Sequence, residues 1–219
     1  FAADHAQARD AVHLPLDVAQ LAAQLEAAGW PSLTLQSRAA TREIYLRRPD
    51  LGRRLDPASA AAVQALAQGT DLAVMIGDGL SAAAVQLHAL PLLLGLRQAL
   101  AGRLGWAPLL IATQARVALG DEIGALLKAR LVLVLIGERP GLSSPDSLGA
   151  YLTYEPALGR SDAQRNCVSN IRPQGLTPAL AAQRIAWLLQ EALRRRLSGL
   201  GLKDDSAAAL LPMSEPGRD

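Results

Sequence analysis

The chain has 219 residues, half of them hydrophobic, and a formal net charge of +2. That length can bury one sizeable core, or one core and a small helical lobe, while so small a surplus of charge gives no argument for a polyanion partner. Aromatic residues at 3% exclude a nucleic-acid module built on stacked rings, and one cysteine excludes an internal disulfide and a Cys-rich zinc site, so a reducing, cytosolic setting is expected.

The chain begins with Phe1 rather than Met, so an N-terminal part of the gene product is expected to be missing. Residues Ala2 to Val12 read as an Ala-rich helix. Asp17 is placed as the N-cap of a second helix running to Ala28, with Gly29 ending it and Trp30-Pro31 turning the chain. Residues 33–55 carry Arg38, Arg42, Arg47, Arg48, Arg53 and Arg54 among Leu, Ile44 and Tyr45, and read as a short helix followed by a strand or loop. Such a segment is either part of an interface or a plain surface helix. Asp56-Pro57 opens a helix to Gln68.

Strand–helix alternation follows. Strands are expected at Leu72–Ile76, Leu109–Ala112 and Leu131–Ile136, then at Tyr151–Tyr154 and Cys167–Ile171. Helices are expected from Ser81 to Leu87 or beyond, from Pro91 to Arg103, from Asp121 to Ala129 and from Thr177 to about Leu197. Strands that are apolar throughout indicate a parallel sheet covered on both faces. The predicted fold is therefore α/β: a Rossmann-like, mostly parallel sheet flanked by helices. A small helical and Arg-rich segment (1–56) precedes the sheet domain (57–203), and a loose tail (204–219) follows. No apolar run reaches the ~20 residues that a membrane helix needs.

Several motifs fall at the ends of these strands. Gly77-Asp78-Gly79-Leu80-Ser81-Ala82 fits G-x-G-x-x-A after a strand and before a helix. The glycines would let a backbone approach a phosphate, or serve a tight turn in which Asp78 and Ser81 cap the helix. No acid stands ~20 residues on to hold a ribose. His5, His13 and His88 are too scattered for an i, i+4 metal pair. Asp121 and Glu122 suit the first turn of a helix, where carboxylates complement the dipole. Arg116 and Val117 lie at the same edge as Gly77 and Gly137. Glu138 and Arg139 follow the most apolar strand. They pair with each other or with neighbours, or the carboxylate accepts hydrogen bonds from a ligand. Cys167 has no His nearby in sequence to act as a base, so a nucleophilic role is not expected.

Taken together, G-D-G-L-S (77–81), A-R-V-A-L-G-D-E-I-G (115–124), G-E-R-P-G-L-S-S-P-D-S-L (137–148) and R-N-C-V-S-N-I-R (165–172) resemble the small subunit of ethanolamine ammonia-lyase. So does S-R-A-A-T-R-E-I-Y-L-R-R-P-D-L-G-R-R-L (37–55). The resemblance covers nearly the whole chain, and the G-E-R-P-G-L block is its most specific part. It implies an adenosylcobalamin-dependent lyase that converts ethanolamine to acetaldehyde and ammonia. It also implies a large barrel subunit carrying substrate and most catalytic residues, and a small subunit that grips the corrinoid. Corrinoid contacts carried over by motif fall on Val117, Glu138 and Cys167, with no catalytic residue on this chain. D-x-H-x-x-G is missing, which fits a base-on cofactor. The resemblance further implies a hetero-oligomer in the cytoplasm, within a bacterial microcompartment, with neither nucleic acid nor membrane as partner.

Overall fold

A computed structural model of the chain describes residues 14–139, 141 and 146–209. The expected helix at Ala2–Val12, with His5 and His13, lies outside the described residues, as does much of the loop after Glu138.

Six strands form one sheet: β1 (Ser32–Gln36), β2 (Leu72–Gly77), β3 (Leu109–Thr113), β4 (Leu131–Gly137), β5 (Leu148–Tyr154) and β6 (Arg165–Ile171), in the order β1-β3-β2-β4-β5-β6. β1 to β4 pair in parallel, but β5 runs antiparallel to β4, and β6 antiparallel to β5. The sheet is thus mixed: the expected mostly parallel arrangement holds for β1 to β4, and the last two strands run antiparallel. The cause is the connection: only residues 138–147 separate β4 from β5, whereas a parallel return needs a crossover of a dozen residues or more.

The helices are α1 (Val18–Ala27), α2 (Arg42–Arg47), α3 (Pro57–Gln64), α4 (Ala82–Leu100), α5 (Leu119–Leu126), α6 (Pro178–Arg195) and α7 (Ser206–Ala209). Their starts are chemically marked. Asp17 accepts from the Gln20 amide, Asp56 from Ala58 and Ser59 ahead of Pro57, Ser81 from Ala84, and Thr177 from Leu180 ahead of Pro178. Two expectations are corrected. Residues 32–36 form a strand, followed by helix α2, the reverse of the predicted order. And α4 runs unbroken through Pro91. Pro91 is exposed and Leu87, one turn earlier, is 57% exposed, so the carbonyl freed by the ring faces water, the least costly place for it. The segment after Lys203 also opens in an ordered way. Asp204 accepts from the backbone and hydroxyl of Ser206 and pairs with Arg184 on α6.

The sheet separates two cores. On one face α1, α4 and α6 cover Leu72, Val74, Ile76, Leu133 and Leu135. On the other, α3 and α5 cover Ala73, Met75, Val132, Val134 and Ile136. β2 and β4 are buried along their whole length, which explains their unbroken apolar sequence. Each fully buried Leu or Ile contributes roughly 1.5–3 kcal/mol.

Candidate functional site

The helix after β2 (α4) leaves to one face, and the helix after β3 (α5) leaves to the other. Adjacent strands whose connections diverge in this way open a crevice at their carboxyl ends, the usual ligand position in such sheets. A hollow of about 430 Å³ lies there, lined by Tyr45, Arg116, Val117, Ile136, Glu138 and Tyr151 among others. Two of the three residues singled out in the sequence, Val117 and Glu138, therefore line the same hollow.

Glu138 is held by one oxygen. Its Oε2 accepts from the Ser147 hydroxyl at 2.5 Å and from the Asn170 backbone amide at 3.1 Å. Its backbone amide donates to the Ser147 carbonyl at 2.9 Å. The carboxylate thus ties the start of the β4–β5 loop to the end of that loop and to β6. No described residue donates to Oε1. Arg139 is exposed, and no ion pair with Glu138 occurs among the described residues. The neighbour-bonding reading of Glu138 holds for Oε2.

Val117 is positioned from the opposite wall. Arg116 donates from its backbone amide to the Gly52 carbonyl and from its guanidinium to the Tyr45 carbonyl, 3.1 Å away. A Cβ on Gly52 would lie 2.9 Å from Arg116 Cγ and 3.1 Å from the Tyr45 ring, so glycine is what lets these two groups approach. The guanidinium carbons of Arg42 and Arg116 stand 4.6 and 4.2 Å from the Tyr45 ring centroid. Tyr45 is 1% exposed, and burial pushes its phenol up to about 12. Arg116 was placed at this edge from sequence together with Val117, whereas Tyr45 and Tyr151 were not identified. The signal for Tyr45 was the mixture of Tyr and Ile with arginines in residues 42–54.

Cys167 lies just outside the hollow. It is exposed on β6, opposite Tyr151 of β5. Although the residue as a whole is exposed, partial burial of the thiol pushes its pKa up, so the thiolate is disfavoured. Burial likewise raises the Tyr151 phenol.

The G-D-G turn is filled by the protein itself. Asp78, 5% exposed, accepts from the amides of Gly79 at 2.9 Å, Gln114 at 2.9 Å and Ala115 at 3.0 Å. Burial pushes this carboxyl up, against the pull of those amides and of Arg42. The Leu80 amide donates to the Gly137 carbonyl at 2.9 Å. Gly79 has φ +58, and a Cβ there would sit 2.3 Å from the Gly137 oxygen. The glycines serve a close crossing of two strand ends, and the amides that would cradle a phosphate are occupied. The tight-turn reading is the one these contacts support.

The other acids are internal anchors. Asp121 takes two hydrogen bonds from Arg165, and Glu122 takes two from Arg54 and one from the Leu55 amide. His88 contacts Asp146, which Arg172 also reaches. In the Arg-rich segment Arg42 donates to the Gly79 carbonyl and Arg38 to the Leu55 carbonyl. Arg42 and Arg54 thus tie this segment to the G-D-G turn and to α5, Arg38 bonds within the segment, and Arg47, Arg48 and Arg53 are exposed.

A six-stranded sheet with a crevice at the ends of β2, β3 and β4 makes this an α/β protein with a ligand-type site. Residues 1–203 match the family described as ethanolamine ammonia-lyase light chain (EutC). The chain is 53% identical to the ethanolamine ammonia-lyase small subunit of Pseudomonas fluorescens, over 97% of this chain and 78% of that protein. It is 53% identical to that of Ralstonia nicotianae (100% and 82%) and 54% identical to that of Azotobacter vinelandii (94% and 78%). The chain belongs to the ethanolamine ammonia-lyase small-subunit family, and so is a component of a lyase complex. No described helix is long and apolar enough to cross a membrane.

Proposed function

We propose that this chain acts with the large subunit of ethanolamine ammonia-lyase, in a microcompartment-associated complex that turns ethanolamine into acetaldehyde and ammonia. Its part is to grip base-on adenosylcobalamin through Val117, Glu138 and Cys167. The observation that carries the reading is the divided carboxylate of Glu138. Oε2 is locked to Ser147 and Asn170, which fixes the side chain, and Oε1 is left to accept from a ligand donor at the rim of the hollow.

The surroundings fit such a group. A corrin ring offers apolar edges and amide side chains. Val117, Tyr151 and the edge of Ile136 present apolar surface, and Glu138 presents an acceptor. A hollow of about 430 Å³ takes only part of so large a cofactor, so a second surface must cover the rest, which fits a subunit that works against a larger partner. Cys167 reaches this edge through Tyr151 and stays a neutral thiol, a contact rather than a nucleophile. The bound cofactor supplies the radical chemistry. This chain's residues orient it, exclude water from one side and hold the Glu138 charge at a fixed point.

The test is reconstitution. The chain alone is expected to show no deamination, with activity appearing on mixing with the large subunit and adenosylcobalamin. Glu138→Ala combined with Val117→Ala is expected to weaken cofactor affinity of the complex. Unchanged affinity, with the complex intact, would remove the binding role and leave an assembly role.

A further inference from the structure

Beside the Val117–Glu138 hollow lies a second, larger depression of about 650 Å³ between the Leu51–Arg54 turn, the β3–α5 loop and the β5–β6 loop. Arg116 and Val117 belong to both walls, so the two spaces are adjacent. Five arginines line it: Arg53, Arg54, Arg116, Arg160 and Arg165. Arg54 is matched by Glu122, and Arg165 by Asp121 and Asp162. Asp50, also on the wall, is matched by Arg48.

Three guanidiniums remain without a carboxylate partner among the described residues: Arg53, Arg116 and Arg160. Two of them are held in place. Arg160 donates Nε and one terminal nitrogen to the Glu155 carbonyl, at 3.1 and 2.7 Å, which leaves the other terminal nitrogen uncommitted. Arg116 is fixed by the Tyr45 carbonyl, and its Nε is buried with no acceptor. Fixed cations with unused donors, gathered around a depression, form an anion site, and the planar fork of arginine suits the oxygens of a phosphate ester.

We infer that this arginine depression receives a phosphodiester, namely the nucleotide-loop phosphate of the cofactor whose ring edge meets Glu138. The inference rests on the corrinoid reading given above. The corrin side chains are neutral amides, matched by one acceptor at Glu138. The phosphodiester is the anionic group of the loop, and it would meet the uncompensated arginines one cavity away. A free phosphate compound offers the same chemistry, and the test separates the two.

The complex with the large subunit is titrated with adenosylcobalamin and with adenosylcobinamide, which lacks the nucleotide loop and its phosphate. Binding is read by the corrinoid absorption change rather than by turnover. Arg53→Gln, Arg160→Gln and the double variant are compared with the unaltered complex. The double variant is expected to bind adenosylcobalamin about tenfold more weakly, with a flatter dependence on ionic strength and unchanged affinity for adenosylcobinamide. Arg53 is exposed and makes no ion pair among the described residues, so Arg53→Gln alone keeps the test valid if the double variant unfolds.

Equal loss for both corrinoids, or loss of the subunit complex itself, would overturn the inference and make the depression a structural or subunit contact. Stabilisation of the cofactor-free complex by inorganic phosphate, abolished in the double variant while adenosylcobalamin affinity is unchanged, would overturn it in favour of a free phosphate compound. Glu138→Ala serves as the separate control. If it weakens both corrinoids while the arginine variants weaken neither, the ring-edge reading stands and the phosphate subsite falls. If Glu138→Ala weakens neither, the ring-edge reading itself falls.

Discussion

Asp121 and Arg165 meet through hydrogen bonds of 2.6 and 2.7 Å, with side chains only 2% and 3% exposed. The pair joins the first turn of α5 to the first residue of β6, and Arg165 also donates to Thr153 and the Arg160 carbonyl. Burial pushes the Asp121 carboxyl up, although Arg165 pulls against it. Removing Asp121 leaves the buried Arg165 guanidinium with only the exposed Asp162 as a carboxylate partner. Asp121→Asn is therefore expected to cost about 3–5 kcal/mol, whereas replacing both residues by apolar side chains of similar volume costs far less. Urea unfolding of the single and double variants measures the difference, and equal losses would show that the pair is not the source.

The crossing of the β2 and β4 ends tolerates no side chain. A Cβ on Gly137 would lie 2.0 Å from the Ser81 carbonyl oxygen. Gly137→Ala is expected to destabilise by about 1–3 kcal/mol, as overpacking does. A Cβ on Gly105 meets nothing nearer than the Asp71 carboxylate at 3.6 Å, so Gly105→Ala is expected to stay near the unaltered Tm. Thermal unfolding of the two variants side by side checks this.

Asp146 gives the acid limb of the stability curve. Burial works against its ionisation, but hydrogen bonds from His88, its own backbone and Arg172 outweigh it and hold the carboxyl below its ordinary value. A carboxyl depressed on folding adds stability that is fully present above its unfolded pKa, ~3.9. That stability disappears as pH falls through the depressed folded value. Asp146→Asn is expected to lower stability at neutral pH and to remove part of its decline below about pH 4. Stability curves with the same acid slope in both proteins would contradict this assignment.

The raised pKa of Cys167 makes a chemical prediction. Alkylation by iodoacetamide should be slow at neutral pH despite the exposure of the residue, and should accelerate only above the ordinary thiol range, near 8.5. Mass spectrometry across a pH series follows the modification. Rapid labelling at pH 7 would mean that the thiol is activated.

Much of the architecture was legible because the central strands carry their own signature. Apolar runs at 72–76, 109–112 and 131–136 correspond to strands buried on both faces, and Asp17, Asp56 and Thr177 mark helix starts that the hydrogen bonds bear out. The edges were harder to read. β1 is five residues long and packs only in part, so nothing apolar distinguishes it from a loop. The direction of β5 and β6 depends on connection length rather than on strand composition, and Pro91 looks like a helix break unless its solvent-facing position is known. Val117 and Glu138 could be placed at one sheet edge from strand order alone. Tyr45 could not, because it reaches the hollow from a helix after β1, and that contact needs Gly52 and the tertiary fold. The compensated and uncompensated arginines have the same appearance in sequence, and only partner geometry separates Arg54 from Arg53.

Asp78 lies in the turn where a phosphate-binding loop would hold its ligand, and its carboxylate accepts the Gly79, Gln114 and Ala115 amides. The turn therefore carries a tethered competitor. A phosphate arriving from solution would have to displace a group that never diffuses away and whose effective concentration the free ion does not match. The same tether welds the β2 and β3 loops into one rigid floor, so the strand ends that face a ligand are preorganised before any ligand arrives. In this fold the glycine-rich turn has become masonry, and recognition has moved to the loops on either side of it.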